Sequence, residues 1–444
     1  MSGRSVHLVG AGGAGMSALG LLALRSGWTV SGTDRDEGPA LAALRAAGAS
    51  VRAGHGADAL PADVQMVVAS TAIPASNPEI QAARQRGLPV LHRSELLAVL
   101  MQGHRGLAVA GAHGKSTTTA MLSLALGGAT LCVGAEVPWG DGTGAAWGDG
   151  PWFCAEADES DRSLLRLAPE AAILLNVDHD HHSEYSSIDE VEEVFRQFVG
   201  ALPPDGLLVA GPDARAQAVA AAAPCPVRVV GAFPGAWARV EGDLLVLADG
   251  RSASLDIAAP GAHNRWNAAC AVALAEWCGV DPHEAARRIA PFAGVGRRFE
   301  DKGTAAGVRV VDDYAHHPVE VAATLAAARD QHAGRVVAVF QPHLYSRTQA
   351  LAAQFGRALS AADVVVVTDV YAAREQPVPG VDGTLVSREV RGPHEVLNVP
   401  LLDDVPAVLV PDLQAGDLVL TMGAGDITTL GPRILAALGG SPDA

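Results

Sequence analysis

The stretch GAHGKSTTTA, residues 111–120, follows a short apolar run, GLAVA, and precedes an apolar pattern with helical spacing. A strand, a glycine turn and a helix start together aim backbone N–H groups and the positive helix end at an anion. The common phosphate-loop signature places its first glycine at position 109, where this chain has Val109, and a glycine follows at Gly111. The stretch therefore predicts either a shorter type of phosphate loop or an ordinary strand-to-helix turn.

Lysine usage decides between these alternatives. Among 32 basic Lys and Arg residues the chain has only two lysines, Lys115 and Lys302. A chain that otherwise uses arginine thus keeps a lysine where a slim ammonium must reach between phosphate oxygens. Ser116 and Thr117 follow, and hydroxyl residues suit the first turn of a helix. We therefore predict a phosphate-binding loop.

Composition narrows the class of protein. A length of 444 residues suggests two to four domains, and the hydrophobic content of 49% suffices for sizeable cores. The net charge of −17 argues against binding to nucleic acid or to an anionic membrane. The chain has no long apolar run, no signal-peptide pattern and no C-x-x-C among its five cysteines. We expect a cytoplasmic enzyme without membrane insertion, disulfide frame or zinc site.

A second glycine-rich turn follows the first strand pattern, SVHLV. Gly10, Gly12 and Gly15 satisfy G-x-G-x-x-G, with Gly13 inside the turn. Asp34 follows Gly15 by 19 residues, at the end of the next strand pattern. This spacing predicts a Rossmann-like domain that binds a nucleotide with a pyrophosphate and a ribose, a class that includes nicotinamide cofactors. A tight turn without a ligand is the alternative.

Polar side chains follow three further strand patterns. They are Ser70 and Thr71 after VQMVVA, then Glu156, Asp158, Glu159 and Asp161 in EADESD, then Asp178, His179, Asp180, His181 and His182 after AAILLNV. Ser70 and Thr71 fit a ligand contact and loop building equally well. Open α/β sheets bind ligands beyond the carboxyl ends of their strands, and Mg²⁺ takes carboxylate oxygens. We therefore expect acids of these clusters to hold Mg²⁺ beside the phosphate loop.

Two later turns carry side chains whose role the pattern leaves open. HNRWNAA leads into a helix, and its Asn264 fits an N-cap as well as a ligand contact. Arg297 and Arg298 lie in GVGRRFE. Such a pair is either surface charge or stabilises a phosphoryl group during transfer.

Strand and helix patterns alternate from GVRVVDD (residues 307–313) to GDLVLTMGAGD (residues 416–426), which predicts a doubly wound parallel sheet. Its strand ends carry DDYAHHP, QPHLYSRT and GAGD, which suit a second substrate site. We expect an α/β protein of three domains. They are a Rossmann-like N-terminal domain (1–103), a central P-loop ATPase-type α/β domain (104–300) and a C-terminal doubly wound Rossmann-like domain (301–444).

Eight motifs occur in one order along the chain: HLVGAGGAGMSALG, GAHGKSTTTAM, EADESDRSLL, NVDHDHHSEY, HNRWNAA, GVGRRFE, DDYAHHP and QPHLYSRT. Together they resemble the Mur ligase family, and within it the branch that adds L-alanine to UDP-N-acetylmuramate. The resemblance runs from about residue 6 to about residue 427. The family's loop has the short form G-x-x-G-K-[ST], with which Val109 agrees.

The resemblance implies roles for individual residues. The UDP-sugar would lie on Gly10, Gly12, Gly13, Gly15, Asp34, Ser70 and Thr71. ATP would lie on Gly111, Ala112, His113, Gly114, Lys115, Ser116 and Thr117, with His263, Asn264 and Asn267 at the adenine and Arg298 and Asp313 at phosphate and ribose. Mg²⁺ would be held by Ser116, Glu156 and His181, and the amino acid by Tyr314, His316 and Arg347. Catalysis would fall to Lys115, Arg298, His181 and His316.

The implied reaction forms an acyl phosphate on the lactyl carboxylate of UDP-N-acetylmuramate with ATP and Mg²⁺, and L-alanine then displaces phosphate. We expect a monomer or weak homodimer with these small-molecule partners and no nucleic acid. Several sister ligases hold a second metal with a carbamylated lysine. Neither Lys115 nor Lys302 is available for that role, which fits the alanine-adding branch.

Three alternatives stay open. A related ligase recycles a ready-made tripeptide onto UDP-N-acetylmuramate. A nicotinamide-dependent oxidoreductase would rest on the first glycine turn and Asp34 alone, and it leaves Lys115 unexplained. A non-catalytic nucleotide-binding protein would bind nucleotide without turnover.

Overall fold

The structure is a computed structural model that describes residues 3–140, 142–180, 184–233, 235–373, 375–392 and 395–439. The chain forms two compact units. The first comprises Met1–His179, Ser187–Ile257 and Arg265–Val295, and the second comprises Asp180–Ser186, Ala258–Asn264 and Gly296–Ala444. None of the described helices is both long and apolar enough to cross a membrane.

The first unit begins with a five-stranded, all-parallel sheet of order β3-β2-β1-β4-β5. Its strands are β1 Ser5–Val9, β2 Thr29–Asp34, β3 Ser50–Ala53, β4 Met66–Ala69 and β5 Val90–His92. Its helices are α1 Ala14–Arg25, α2 Pro39–Ala46, α3 Pro78–Gln85 and α4 Arg93–Met101. The order reverses at β1, so the glycine turn after β1 lies at the point where such sheets bind ligands.

A second sheet in the same unit has seven strands in the order β12-β11-β10-β6-β9-β7-β8, with only β8 antiparallel. The strands are β6 Arg105–Ala110, β7 Thr130–Cys132, β8 Ala145–Ala146, β9 Trp152–Glu156, β10 Ala171–Leu174, β11 Leu207–Ala210 and β12 Val227–Val229. The helices are α5 Lys115–Leu126, α6 Ile188–Gly200 and α7 Ala214–Ala220. Strand β6 lies between β10 and β9, so the phosphate loop and both acidic clusters start from adjacent strand ends.

A small antiparallel sheet follows, formed by β13 Ala238–Glu241, β14 Leu244–Leu247 and β15 Ser252–Ser254. The helices α8 Ala262–Trp277 and α9 Pro282–Ile289 come next in the chain. Helix α9 starts with Pro282 at its first position after an Asp281 cap, as an N-terminus prefers.

The second unit contains a six-stranded sheet of order β16-β17-β21-β18-β19-β20, in which only β16 is antiparallel. The strands are β16 Glu300–Ala305, β17 Val308–Asp313, β18 Val336–Phe340, β19 Val364–Val367, β20 Glu395–Asn398 and β21 Leu418–Met422. The helices are α10 Pro318–Gln331, α11 Tyr345–Leu359, α12 Thr384–Ser387, α13 Val405–Leu409 and α14 Leu430–Ala437.

Both faces of this sheet are covered. Along β18, Val336, Ala338 and Phe340 join one apolar cluster, whereas Val337 and Val339 join the other. A strand that is buried on two faces has no polar side, which is why it reads as a continuous apolar run. The predicted α/β fold, with a Rossmann-like N-terminal sheet, a central sheet that carries the P-loop and a C-terminal doubly wound sheet, is confirmed. The predicted limits 103/104 and 300/301 stay predictions.

Candidate active site

The phosphate loop joins β6 to α5 and depends on two glycines in the left-handed region. Gly111 has φ +138° and Gly114 has φ +84°. A Cβ on Gly111 would lie 3.1 Å from the backbone nitrogen of Asn176, and one on Gly114 would lie 3.0 Å from Oδ1 of Asn267. Gly114 is also the N-cap of α5 and has no side chain with which to cap it. The loop therefore leaves the first N–H groups of the helix for an anionic ligand.

Lys115, the first residue of α5, is paired with a buried carboxylate. Its Nζ donates to Oε2 and Oε1 of Glu159 at 2.8 and 3.0 Å, and to the carbonyl oxygen of Gly111 at 2.8 Å. The side chains of Lys115 and Glu159 are only 12% and 2% exposed. Burial alone would lower the pKa of Lys115, but Glu159, with Asp158 and Glu156, raises it above its usual value. The lysine is therefore a permanent cation at the loop.

Ser116 and Glu156 lie together at the next position of the loop. Ser116 Oγ donates to Oε2 of Glu156 at 2.9 Å, and the backbone N–H of Gly134 donates to the same oxygen at 2.9 Å. A hydroxyl and a carboxylate beside a phosphate loop form a donor set that suits Mg²⁺. His181, the third predicted metal ligand, lies outside the described residues.

The rest of the loop is held by the strand end after β10. Asn176 Oδ1 accepts the N–H of His113 at 2.8 Å, and its Nδ2 donates to the carbonyl oxygen of the same residue at 3.0 Å. The N–H of Ala112 donates to the carbonyl oxygen of Asn176 at 3.3 Å. His113 Nε2 lies 3.2 Å from Oδ2 of Asp178. Thr117, the last predicted loop residue, is buried in the first turn of α5.

The turn before α8 rules out one of the two interpretations left open for Asn264. Asn264 is the third residue of the helix and therefore cannot be its N-cap. Its Nδ2 donates to the carbonyl oxygen of Pro260 at 2.6 Å, so the side chain closes the turn instead. His263 is the second residue of the helix, and its ring lies against Gly261. Asn267, one turn further, belongs to the first unit and lies beside Gly114.

The first glycine turn is arranged as a nucleotide turn requires. Gly10 has φ +83°, and Gly13 is the N-cap of α1. The N–H of Gly12 donates to Oδ2 of Asp34 at 2.8 Å, and a Cβ on Gly12 would lie 2.9 Å from that oxygen. A larger residue at position 12 would therefore force the carboxylate of Asp34 to move.

A cleft of about 770 Å³ lies along this turn. Its lining includes Gly10, Gly13, Gly15, Asp34, Ser70, His55, Asn77, Arg93 and Asp158. Ser70 lines the cleft, whereas the neighbouring Thr71 is exposed and does not. A smaller cavity of about 120 Å³ shares Gly15, Arg93 and Asp158 with the cleft and reaches Gly134 and Glu156. The two spaces thus lead from the first glycine turn to the acids of the phosphate loop within one unit.

Arg93 stands where the two spaces meet. Its Nη2 donates to Asp158 at 2.6 Å and to Asp161 at 3.3 Å, while His92 Nε2 lies 3.2 Å from Asp161. Burial would lower the pKa of Arg93, but Asp158 and Asp161 raise it. Of the acids of EADESD, Glu159 therefore pairs with Lys115, Asp158 and Asp161 pair with Arg93, and Glu156 is left to Ser116 and Gly134.

In the second unit, Tyr314, His316 and Arg347 are brought together with His343. The His316 ring lies 5.1 Å from that of Tyr314 and 5.8 Å from that of His343. Arg347 is 3% exposed; its Nε and Nη2 donate to Oδ1 of Asp180 at 3.1 and 2.5 Å, and Nη1 lies 3.1 Å from Nδ1 of His343. Burial lowers the pKa of His316 to about 4, so its imidazole is neutral near pH 7.

Arg298 lies in a strained turn of the same unit. Arg297 and Phe299, its neighbours, have φ +58° and +50°, values that are costly for residues other than glycine. The Arg298 guanidinium lies 5.1 Å from the centre of the Tyr314 ring. Asp313 accepts the N–H of Phe299 at 2.8 Å, and burial raises its pKa to about 6.

The predicted residues therefore fall into two groups. Lys115, Ser116 and Glu156 meet in the first unit, together with the glycine turns. Arg298, Asp313, Tyr314, His316 and Arg347, with His263 and Asn264, belong to the second. Their roles stay predictions.

Sequence reasoning singled out no role for several residues that the structure places at these sites. They are Asn176, Arg93, His55 and His343. The available signal was position: each lies within a few residues of a strand end, where ligands bind in α/β sheets. Asn176, Arg93 and His55 contact partners that lie 24 to 65 residues away, which leaves no local pattern, whereas His343 contacts Arg347 four residues further along the chain.

Three family models match the chain in order. They are the Mur ligase family catalytic domain at residues 5–105, the Mur ligase middle domain at residues 154–275, and the Mur ligase glutamate ligase domain at residues 297–425. The matched ranges contain the first glycine turn, the acidic clusters and the strand ends of the second unit.

Whole-chain relatives agree with the family models. The UDP-N-acetylmuramate–L-alanine ligase of Rubrobacter xylanophilus is 46% identical over 98% of this chain and 100% of its own. The enzyme of the same name from Kineococcus radiotolerans is 47% identical over 98% of this chain and 96% of its own. The crystal structure of the UDP-N-acetylmuramate–alanine ligase of Thermotoga maritima matches with a TM-score of 0.82 and 27% identity, covering 98% of this chain and 99% of that one. From the motifs, the paired phosphate and nucleotide turns and these similarities together, we conclude that the chain belongs to the Mur ligase family.

Proposed function

We propose that the protein is an ATP- and Mg²⁺-dependent ligase that joins L-alanine to the lactyl carboxylate of UDP-N-acetylmuramate. The observation that carries the proposal is the pair of neighbouring spaces that share Gly15, Arg93 and Asp158, one along the first glycine turn and the other reaching Glu156 beside the phosphate loop. A substrate bound along the first sheet would thereby present one end to a nucleotide on the second. The near-full-length relatives with this activity in their names support the same assignment.

The sheet order gives the substrate a direction. Asp34 ends β2 on one side of β1, whereas Ser70, after β4, and Arg93, after β5, lie on the other. With the diphosphate on the glycine turn, the ribose would lie towards Asp34, whose Oδ1 has no partner among the described residues. The muramic acid would then extend towards Arg93 and the smaller cavity.

The residues of the phosphate loop would position ATP for attack. Lys115 would exchange Glu159 for phosphate oxygens, and the N-terminus of α5 would receive further oxygens through its N–H groups. Mg²⁺ held by Ser116 and Glu156 would neutralise charge on the transferring phosphoryl group. A lactyl carboxylate oxygen would attack the γ-phosphorus, the bond to the ADP oxygen would break, and an acyl phosphate would form.

The second step consumes L-alanine. Its amine nitrogen would attack the acyl carbon, the carbon–oxygen bond to phosphate would break, and the amine would lose a proton as the amide forms. In the second unit, Tyr314, His316 and Arg347 are the candidate amino-acid residues. Because Asp180 occupies Nε and Nη2 of Arg347, binding of the amino-acid carboxylate there would require Asp180 to release that edge. We expect the enzyme to work in the cytoplasm as a monomer or weak homodimer.

Phosphate release from ATP tests the proposal. Release is expected only when UDP-N-acetylmuramate and L-alanine are both present, and it is expected to be lost in Lys115→Ala. Lys302→Ala, which removes the other lysine, is the matched control and should keep its activity. Release with a muropeptide tripeptide but not with L-alanine would assign the recycling activity instead. Nucleotide binding without release in any combination would make the protein a binding protein.

A further inference from the structure

A buried carboxylate beneath the first cleft takes no part in the steps above. Glu79 is 0% exposed and accepts four donors. Its Oε2 accepts hydrogen bonds from Nε2 of His7 at 2.8 Å and from the Thr33 hydroxyl at 2.7 Å. Its Oε1 accepts hydrogen bonds from the N–H of Gly56 at 3.1 Å and from Nδ1 of His55 at 3.0 Å. Such a fully satisfied network fixes the orientation of every member.

The charge of Glu79 determines which atom of His55 carries the proton. Burial alone would raise the pKa of Glu79, but hydrogen bonds from His7, Thr33 and Gly56 outweigh it and the pKa is lowered. An ionised carboxylate only accepts hydrogen bonds, and the Thr33 hydroxyl, 2.8 Å from Nδ1 of His55, gives its proton to Glu79, so Nδ1 of His55 must donate. In the neutral imidazole, Nε2 is then the acceptor.

His55 presents this acceptor at a defined place in the cleft. The residue lines the cleft two positions after β3, its side chain is 21% exposed, and its Nε2 has no hydrogen-bond partner among the described residues. Strand β3 lies beyond β2 on the side away from β4. A nucleotide whose diphosphate is on the glycine turn and whose ribose is at Asp34 would therefore place its base at His55.

We propose that His55 recognises the uracil base by accepting its N3–H at Nε2, and that Glu79 is the positioning residue that holds His55 in this tautomer. Uracil has a hydrogen-bond donor at N3, whereas cytosine has an acceptor there, so the same contact would reject cytidine nucleotides. The inference rests on the proposed function, because it requires a uridine nucleotide in this cleft.

Calorimetric titration of the full chain with UDP, CDP and N3-methyl-UDP tests the proposal. The parent protein is expected to bind UDP about 10- to 100-fold more tightly than either of the others, the range for one mismatched buried hydrogen bond. His55→Phe keeps an aromatic ring but removes Nε2, so it should weaken UDP by a similar factor and bring the UDP-to-CDP ratio close to one. Glu79→Gln can donate to Nδ1 and thereby move the proton to Nε2, so it should also lower that ratio.

Controls separate recognition from folding. Asp417→Asn alters a buried carboxylate paired with Arg335 in the second unit and should leave the UDP-to-CDP ratio unchanged. A merely structural role of Glu79 would weaken UDP and CDP equally, and if Glu79→Gln does not fold, His55→Phe decides alone. A parent protein that binds no UDP would overturn the proposed function. A parent that binds UDP, with the ratio preserved in His55→Phe, would overturn only this inference.

Discussion

Because Lys115 pairs with the buried Glu159, one variant should lower both the stability and the activity of the protein, whereas a double variant should lower mainly the activity. Lys115→Met removes the cation and leaves Glu159, with its side chain 2% exposed, without the two N–H···O bonds at 2.8 and 3.0 Å. Removing one partner of a buried ion pair costs about 3–5 kcal/mol, because the remaining charge stays buried. The double variant Lys115→Met/Glu159→Gln carries no such charge and should recover all but about 1–2 kcal/mol of that loss.

Scanning calorimetry without nucleotide measures the effect. At about 2–4 °C per kcal/mol for a domain of 150–250 residues, the first-unit transition of Lys115→Met should fall by roughly 6–20 °C. Both variants should lose phosphate release by about 10²-fold or more, because neither has a cation for the phosphates. Lys302→Met, which breaks the partly exposed pair with Glu300, should cost about 1 kcal/mol at most. Unchanged stability of Lys115→Met, or a double variant as unstable as the single, would refute this reasoning.

Three further changes test other parts of the two units. Glu156→Gln should raise the Mg²⁺ concentration for half-maximal phosphate release about tenfold or more, and an unchanged Mg²⁺ titration would contradict its role as a metal ligand. Gly114→Ala should weaken ATP and cost about 1–2 kcal/mol more in denaturant unfolding than Gly87→Ala, because both have positive φ but only Gly114 faces Asn267. Burial lowers the pKa of His316 from 6.5 to about 4, because the charged imidazolium is unfavourable there. The free energy of unfolding should therefore be about 3 kcal/mol higher above pH 6.5 than near pH 4, and it should fall across that range. His316→Gln should flatten that part of the stability profile in urea unfolding, and an unaltered profile would assign the loss to other groups.

The central strands of the fold could be predicted because burial on both faces gives them continuous apolar runs, as in β18 and β19. Strand β16 escaped prediction because its sequence, EDKGTA, has three charged residues. It lies at an edge and pairs with β17 through the backbone, so its side chains need little apolar character. The antiparallel sheet β13-β14-β15 escaped for the same reason, since short strands with one covered face have a weak pattern.

In the candidate site, too, local features could be predicted from the sequence and long-range contacts could not. Glycine turns and strand ends are local features, so both glycine turns could be predicted directly from the sequence. The partners of the charged groups could not, because Glu159 lies 44 residues from Lys115 and Asp180 lies 167 residues from Arg347. Of the two interpretations left open for Asn264, the N-cap is wrong, because the helix starts two residues before it, at Ala262.

Charge balance links these unpredicted partners to the proposed chemistry. In the first unit, the described ion pairs of EADESD are those of Glu159 with Lys115 and of Asp158 and Asp161 with Arg93, so both cations are already engaged by carboxylates. Phosphate oxygens that enter this region add negative charge and must displace Glu159 from Lys115, which is unfavourable for a free polyphosphate. A divalent cation at Ser116 and Glu156 offsets part of that charge where it is added. The acid cluster thus favours the metal-bound nucleotide over the free one, because a polyphosphate without its cation meets an excess of carboxylates.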